Sequence, residues 1–217
     1  FHEFGHCLHG LLTNVKYKSL GAMSVYWDFV ELPSQILENW LSEPEVLNMF
    51  ASHYETNEMI PEEYIHKINE SKKFMGGNFS LRQLHLCKID MAWHDGEVST
   101  DNVEAFEKNL LDQYTVLEKV DGSTVSTAFS HIFSGGYSAG YYSYKWAELL
   151  EADAYSKFKK DGIFNKETAT SFKDNILSKG NTDHPMNLYK NFMGREPEIK
   201  SLLIKSGLIA EENVYEN

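Results

Sequence analysis

Residues 2–12 have the sequence HEFGHCLHGLL, and the fold is most readily deduced from this stretch. Its leucines fit the three- and four-residue spacing of a helix, and residues four apart in a helix share one face. His2 and His6 stand four residues apart. Their imidazoles are therefore predicted to project from the same side of a helix, where both can bind one metal ion.

The pattern His-Glu-x-x-His is typical of zinc sites in which the glutamate acts as general base. Glu3 follows the first histidine, and from there it can reach the open side of an ion held by His2 and His6 without binding that ion. The motif predicts one Zn²⁺ per chain. The alternative is a chance match within a helical interaction domain.

A third protein ligand is expected, because catalytic zinc generally takes three and keeps one position for water. Glu31 is the candidate, since it lies among apolar neighbours, where a buried carboxylate is costly unless a cation pairs with it. Asp28 stands where it could cap a second helix, and it could also support the ligands without binding the metal. The alternatives are that Glu31 is a first-turn carboxylate favoured by the helix dipole and that Asp28 is an ordinary N-cap.

His9 is the local competitor for metal binding, because it lies seven residues after His2 on a similar helical face. We predict instead that it packs in the core or supports the ligands from behind.

The rest of the chain predicts a mainly α-helical bundle. Pro44 and Pro61 are each followed by acidic residues, as at a helix N-terminus. Apolar residues with helical spacing then recur at 46–54, 64–68, 81–93, 103–111 and 146–158. Residues 99–102 and 165–167 offer N-caps. Strand signals are confined to 15–17 and 24–27, so a small β-hairpin near residues 15–27 is the most β-structure expected.

Composition limits the function classes. The formal net charge of −12 argues against nucleic-acid binding, which needs a basic face. No apolar run approaches the roughly 20 residues that span a bilayer, so no membrane partner is expected. Cys7 and Cys87 are the two cysteines. We expect both to be buried and unpaired, and the cytoplasm to be the location.

The motif and its surroundings resemble the thimet oligopeptidase family of zinc peptidases, nearest to the peptidyl-dipeptidase and oligopeptidase A branch. The likeness is carried by residues 2–10, 28–35, 81–84, 129–146 and 194–197, and so covers nearly the whole chain. It implies a zincin-like, gluzincin-type core in which His2, His6 and Glu31 hold zinc and Glu3 is the base. It also implies that His131, Tyr137 and Tyr144 contact substrate and stabilise the tetrahedral intermediate.

Residues 131–146 are informative without any family. They contain His131, the pair Gly135-Gly136 and four tyrosines, and they lead into a helix. The glycines permit backbone angles that other residues avoid, which favours a mobile loop. Tyrosine hydroxyls are donors that an oxyanion on the scissile carbonyl requires. The alternative is that the tyrosines only pack the start of the helix.

These expectations amount to a peptidase of short peptides that either releases C-terminal dipeptides or cuts internally. Because the sequence begins one residue before the motif, we expect residues 1–217 to be the C-terminal part of a catalytic domain whose N-terminal part is missing. A metal-binding fragment without turnover is therefore the second hypothesis.

Overall fold

The computed structural model describes residues 1–21, 24–111, 116–117 and 120–210, and they are mainly helical. The helices of the first half are α1 His2–Leu12, α2 Trp27–Val30, α3 Leu32–Glu38, α4 Pro44–Leu47, α5 Glu62–Lys73, α6 Gly76–His94 and α7 Val103–Leu111. Those of the second half are α8 Ser130–Phe133, α9 Tyr142–Asp161, α10 Lys166–Phe172, α11 Pro185–Met193 and α12 Lys200–Lys205. A π-helical turn, Lys173–Leu177, continues α10.

The chain divides into two compact units. The first comprises Phe1–Phe74 and the chain from Trp146 onward, and the second is Met75–Lys145. The core of the first unit joins residues of α2, α3, α9, α10, the π-helical turn and α11. Its buried members include Phe29, Leu32, Ile36, Leu150, Ala154, Phe158, Phe172, Ile176, Leu188, Tyr189 and Phe192.

A buried acid ties the chain after α11 to α9. Asp153 accepts hydrogen bonds from Nη1 and Nη2 of Arg195, at 2.7 and 2.8 Å, and from the hydroxyl of Tyr189 at 2.8 Å. The backbone N–H of Glu198 also donates to this carboxylate at 3.1 Å. The hydrogen bond to Asp153 raises the pKa of Arg195. A charge that is 1 % exposed is thus fully compensated.

The second unit has its own smaller core of Leu86, Ile89, Phe129 and Ile132. A second buried acid supports it: Glu107 of α7 accepts the backbone N–H groups of Val125 and Ser126, at 2.9 and 2.6 Å.

Two predicted N-caps are confirmed. The side-chain oxygen of Asn102 accepts the N–H of Ala105 at 2.9 Å, just before α7. Asn165 accepts the N–H groups of Glu167 and Thr168, at 2.9 and 3.0 Å, at the start of α10. Each cap satisfies backbone donors that have no partner within the helix.

The β-hairpin allowed near residues 15–27 does not form in the described part of that range, which leaves out residues 22 and 23. Backbone groups there bond to a distant turn instead. Asn14 N–H donates to Ser178 O and Asn181 N–H donates to Leu20 O, each at 2.9 Å. Within the described ranges, β pairing is limited to an isolated bridge between Ser52 and Met59.

The helix predicted from apolar spacing at 46–54 is wrong beyond Leu47, where α4 ends. Residues 51–60 turn back on themselves, because His53 N–H donates to Glu58 O at 2.8 Å and Ile60 N–H donates to Ala51 O at 2.9 Å. The apolar side chains that suggested a longer helix, Met49, Phe50 and Tyr54, are exposed.

Both cysteines are free, as expected, but neither is buried: Cys7 is exposed and Cys87 is partly buried. Among the helices described, none is both long enough and apolar enough to cross a membrane.

Candidate metal centre

The centre begins with a close contact between α1 and the start of α3. Gly5 of α1 faces the backbone of Pro33 and Ser34: a Cβ at position 5 would lie 2.3 Å from Pro33 O and 2.5 Å from Ser34 Cα. Only a residue without a side chain permits this approach. The contact brings the histidines of α1 to the acid that precedes α3.

His2, His6 and Glu31 form one group, with a ligand atom from each lying within 4.8 Å of the other two. Glu31 Oε2 is 3.4 Å from His2 Nε2 and 3.2 Å from His6 Nε2. Two ligand atoms, each about 2.1 Å from a tetrahedral zinc ion, would lie about 3.4 Å apart. The two nitrogens and one oxygen therefore suit Zn²⁺ both in chemistry and in spacing.

Glu31 was predicted to lie in a second helix, but the structure places it between two helices. It occupies the junction between α2 and α3, with φ −86° and ψ −8°, and Pro33 follows in the first turn of α3. Ser34 Oγ donates to Glu31 Oε2 at 2.8 Å and so helps to fix the carboxylate. The side chain is buried, with the residue 4 % exposed, which favours a cation beside it.

Asp28 lies in the first turn of α2, whose N-cap position is Tyr26, so the predicted N-cap role of Asp28 is wrong.

Glu38, at the end of α3, contacts a predicted ligand and was not predicted from the sequence. Its Oε1 accepts a hydrogen bond from His2 Nδ1 at 2.6 Å. A proton on Nδ1 leaves the lone pair on Nε2, which is the atom nearest Glu31. The available signal was spacing: Glu38 follows Glu31 by seven residues, or two helical turns.

His6 and His9 behave differently on the same helix. Nδ1 of His6 and both ring nitrogens of His9 are buried without a hydrogen-bond partner among the residues that the structure describes. Burial, followed by the nearby charge of His6, lowers the pKa of His9 to about 4. His9 is fully buried and is outside the converging group, as expected of a packing residue.

Glu3 is exposed on α1 beside His2. Its role as general base stays a prediction.

The other predicted site residues cluster in the second unit. The rings of Tyr137 and Tyr144 stack with centroids 4.9 Å apart and planes at 27°. His131 lies edge-on to Tyr144 at 6.4 Å and to Tyr141 at 5.8 Å. Burial raises the pKa of Tyr141, which keeps its hydroxyl protonated. We call His131, Tyr137, Tyr141 and Tyr144 the tyrosine cluster.

Comparison with known proteins identifies similar sequences along almost the whole chain. Residues 1–208 match the model of Peptidase family M3. Oligopeptidase A of Haemophilus influenzae is 45% identical over 213 residues, which are 96% of this chain and 31% of that protein. Dipeptidyl carboxypeptidase of Escherichia coli is 36% identical over 215 residues, again 96% of this chain and 31% of that protein.

A plant relative, the organellar oligopeptidase A of Arabidopsis thaliana, described as chloroplastic/mitochondrial, is 40% identical over 217 residues, which are 97% of this chain and 27% of that protein. The chain thus spans about a third of the length of the curated relatives that it matches.

Proposed function

Because this chain belongs to peptidase family M3, we propose that it supplies the zinc site and the catalytic groups of a peptidase that hydrolyses short oligopeptides. The observation that carries the proposal is the convergence of His2 Nε2, His6 Nε2 and Glu31 Oε2 at distances that suit one zinc ion. The family resemblance supports the same three ligands.

When bound, zinc would lower the pKa of its water towards about 7 and polarise the substrate carbonyl. His2, His6 and Glu31 would hold the ion. Glu38 keeps the proton of His2 on Nδ1, and Ser34 holds the carboxylate of Glu31 in place.

Glu3 is the proposed general base. Its carboxylate would take a proton from the attacking water and later return it to the nitrogen of the leaving amine. The exposed position of Glu3 beside His2 leaves its carboxylate open to solvent and to substrate.

The tyrosine cluster is proposed to supply hydrogen-bond donors. Tyr144, with Tyr137 and His131, would donate to the oxygen that becomes negatively charged on the scissile carbonyl. Burial raises the pKa of Tyr141 in the same cluster, which supports a protonated phenol that can donate.

Release of C-terminal dipeptides and internal cutting both fit this chemistry. The relatives that match the chain include an oligopeptidase A and a dipeptidyl carboxypeptidase. Peptides with free and with amidated C-termini separate the patterns. Cleavage at the same bond and rate in both would refute release of C-terminal dipeptides and favour internal cutting. A cytoplasmic location stays a prediction.

The test of the proposed function measures zinc content and hydrolysis of a quenched fluorogenic peptide in two proteins. One is the 217-residue chain. The other, which we call the hybrid, is Escherichia coli oligopeptidase A with the 212 aligned residues replaced by those of this chain. We expect one zinc per chain in both proteins and hydrolysis by the hybrid. His6→Ala should abolish zinc binding and hydrolysis.

The result also distinguishes the competing hypotheses. Zinc without hydrolysis in either protein would favour a non-catalytic metal-binding role. If both proteins lack stoichiometric zinc, the proposal is refuted, and a helical interaction domain with a fortuitous motif is favoured.

A further inference from the structure

A carboxylate of α6 binds the loop between α8 and α9. Asp90 Oδ1 accepts the backbone N–H of Ala139, and Oδ2 accepts that of Tyr141, each at 2.8 Å. His94, one turn further along α6, places Nδ1 2.9 Å from Oδ1. Asp90 is fully buried, so these donors replace its hydration.

The attached backbone has a conformation that needs support. Ala139 has φ +54°, in the left-handed region that side chains with a Cβ disfavour. Ser138 Oγ donates to Ile132 O at 2.5 Å and holds the loop from the other side. Asp90 thus bridges the N–H groups of the residues on both sides of Gly140.

The fixed segment lies between the two stacked tyrosines. Ala139 comes two residues after Tyr137, and Tyr141 comes three residues before Tyr144. The ring of Tyr141 also contacts that of Tyr144, with centroids 5.3 Å apart. A change in the backbone at 139–141 must therefore change the separation and tilt of the rings of Tyr137 and Tyr144.

Asp90 also complements the helix that follows. Helix α9 has no acidic residue in its first turn, although its N-terminus carries partial positive charge. The carboxylate of Asp90 accepts the N–H of Tyr141, the residue immediately before α9. The N–H groups of Ala139 and Tyr141 donate to different oxygens of Asp90, and an asparagine would present its own NH₂ group to one of them.

We propose that Asp90 is a positioning residue, which holds the 139–141 backbone so that Tyr137 and Tyr144 present their hydroxyls to the substrate carbonyl. This inference rests on the proposed function, in which those tyrosines are the donors. It gives a buried acid outside the tyrosine cluster a defined effect on turnover.

The test substitutes Asp90→Asn in the hybrid. We expect kcat to fall by about 10- to 100-fold, as for a misplaced oxyanion donor, with KM changed less than about twofold. Zinc content should not change, because the proposed ligands belong to the other unit.

Glu107→Gln is the matched control, because Glu107 is also buried in the second unit and also accepts two backbone N–H groups, those of Val125 and Ser126. It should lower thermal stability without lowering kcat more than about twofold. An equal loss of kcat in Glu107→Gln and Asp90→Asn would mean that general destabilisation explains both, and the proposal would be overturned.

A double-mutant cycle tests the route of the effect. In a background carrying Tyr137→Phe and Tyr144→Phe, Asp90→Asn should lower kcat less than about twofold further, because the groups it positions are already gone. A full further loss would refute the proposal. If the variant carrying only Tyr137→Phe and Tyr144→Phe binds zinc and has the same kcat as the unsubstituted hybrid, the assignment of these tyrosines as donors has failed.

Amide hydrogen exchange decides the matter even if Asp90→Asn does not fold or the hybrid does not hydrolyse peptide. In the unsubstituted 217-residue chain the amides of Ala139 and Tyr141 should exchange at least about 100-fold more slowly than those of an unprotected loop. Exchange as fast as in an unprotected loop would refute the anchoring. Slow exchange in a zinc-loaded but inactive hybrid would support the anchoring while rejecting the proposed function.

Discussion

Replacing Gly5 with alanine should damage the proposed metal centre without changing a proposed ligand. The new Cβ would lie 2.3 Å from Pro33 O, 2.5 Å from Ser34 Cα and 2.8 Å from Pro33 C. Ordinary contacts of this kind are about 3.5 Å, so α1 and α3 must separate by about 1 Å. All of these atoms belong to the backbone, so a change of rotamer cannot relieve the clash.

The separation acts directly on zinc binding. His6 lies on α1 and Glu31 immediately precedes α3, and their ligand atoms are now 3.2 Å apart. Metal–ligand distances tolerate changes of only about 0.2 Å. We expect zinc affinity to fall by about 10- to 100-fold, the range seen when ligands lose their support. Overpacking should also cost about 1–3 kcal/mol of unfolding free energy.

Gly10→Ala is the matched control, because it makes the same change on the same helix. A Cβ at position 10 would meet nothing within 4 Å. That substitution should leave zinc affinity unchanged and stabilise the helix by about 0.5–1 kcal/mol. The assay is competition for zinc with a chromophoric chelator, and urea unfolding in excess chelator measures stability without metal. Zinc binding by Gly5→Ala as tight as that of Gly10→Ala would refute the reasoning.

Three further outcomes test other parts of the first unit. Glu3→Gln in the hybrid should keep one zinc per chain and lose about 100-fold or more in kcat, and retained turnover would remove Glu3 as the base. Glu38→Gln should lower zinc affinity by about 10- to 100-fold, because His2 loses the carboxylate that orients it; an unchanged affinity in the chelator assay would contradict that role. Burial raises the pKa of Glu151 to about 7. Between about pH 4.5 and about pH 7, Glu151 therefore keeps its proton in the folded state and has lost it in the unfolded chain. The unfolding free energy should fall by at most about 3 kcal/mol as pH rises across this range. Urea titrations across this range should show the fall, and Glu151→Gln should flatten it; the same slope in that variant would show that another group is responsible.

Local signals in the sequence were sufficient for several features. The four-residue spacing of His2 and His6 depends only on helix geometry, and the structure places both nitrogens beside Glu31. Asn102 and Asn165 cap the helices that follow them, because a cap needs contacts only two or three residues away.

Apolar spacing was less reliable where no other element covers the chain. Residues 46–54 have helical spacing, yet α4 ends at Leu47 and the apolar side chains that follow are exposed. Periodicity records which side chains share a face, but a helix this short is stabilised only if that face is buried. The strand signals near 15–27 likewise give no hairpin in the described part of that range, where Leu20 O accepts the N–H of Asn181 instead.

The sequence by itself thus determined a mainly helical chain, two of its helix caps and the family resemblance, and it predicted a set of zinc ligands that includes Glu31. Only the tertiary structure decided what surrounds the predicted site residues: Gly5 against Pro33, Glu38 on His2, and Asp90 on the loop of Tyr137 and Tyr144. The physical reason is range. Helical periods and caps arise from neighbours within one turn or two, whereas each of these supports joins residues tens of positions apart and exists only after the helices have packed.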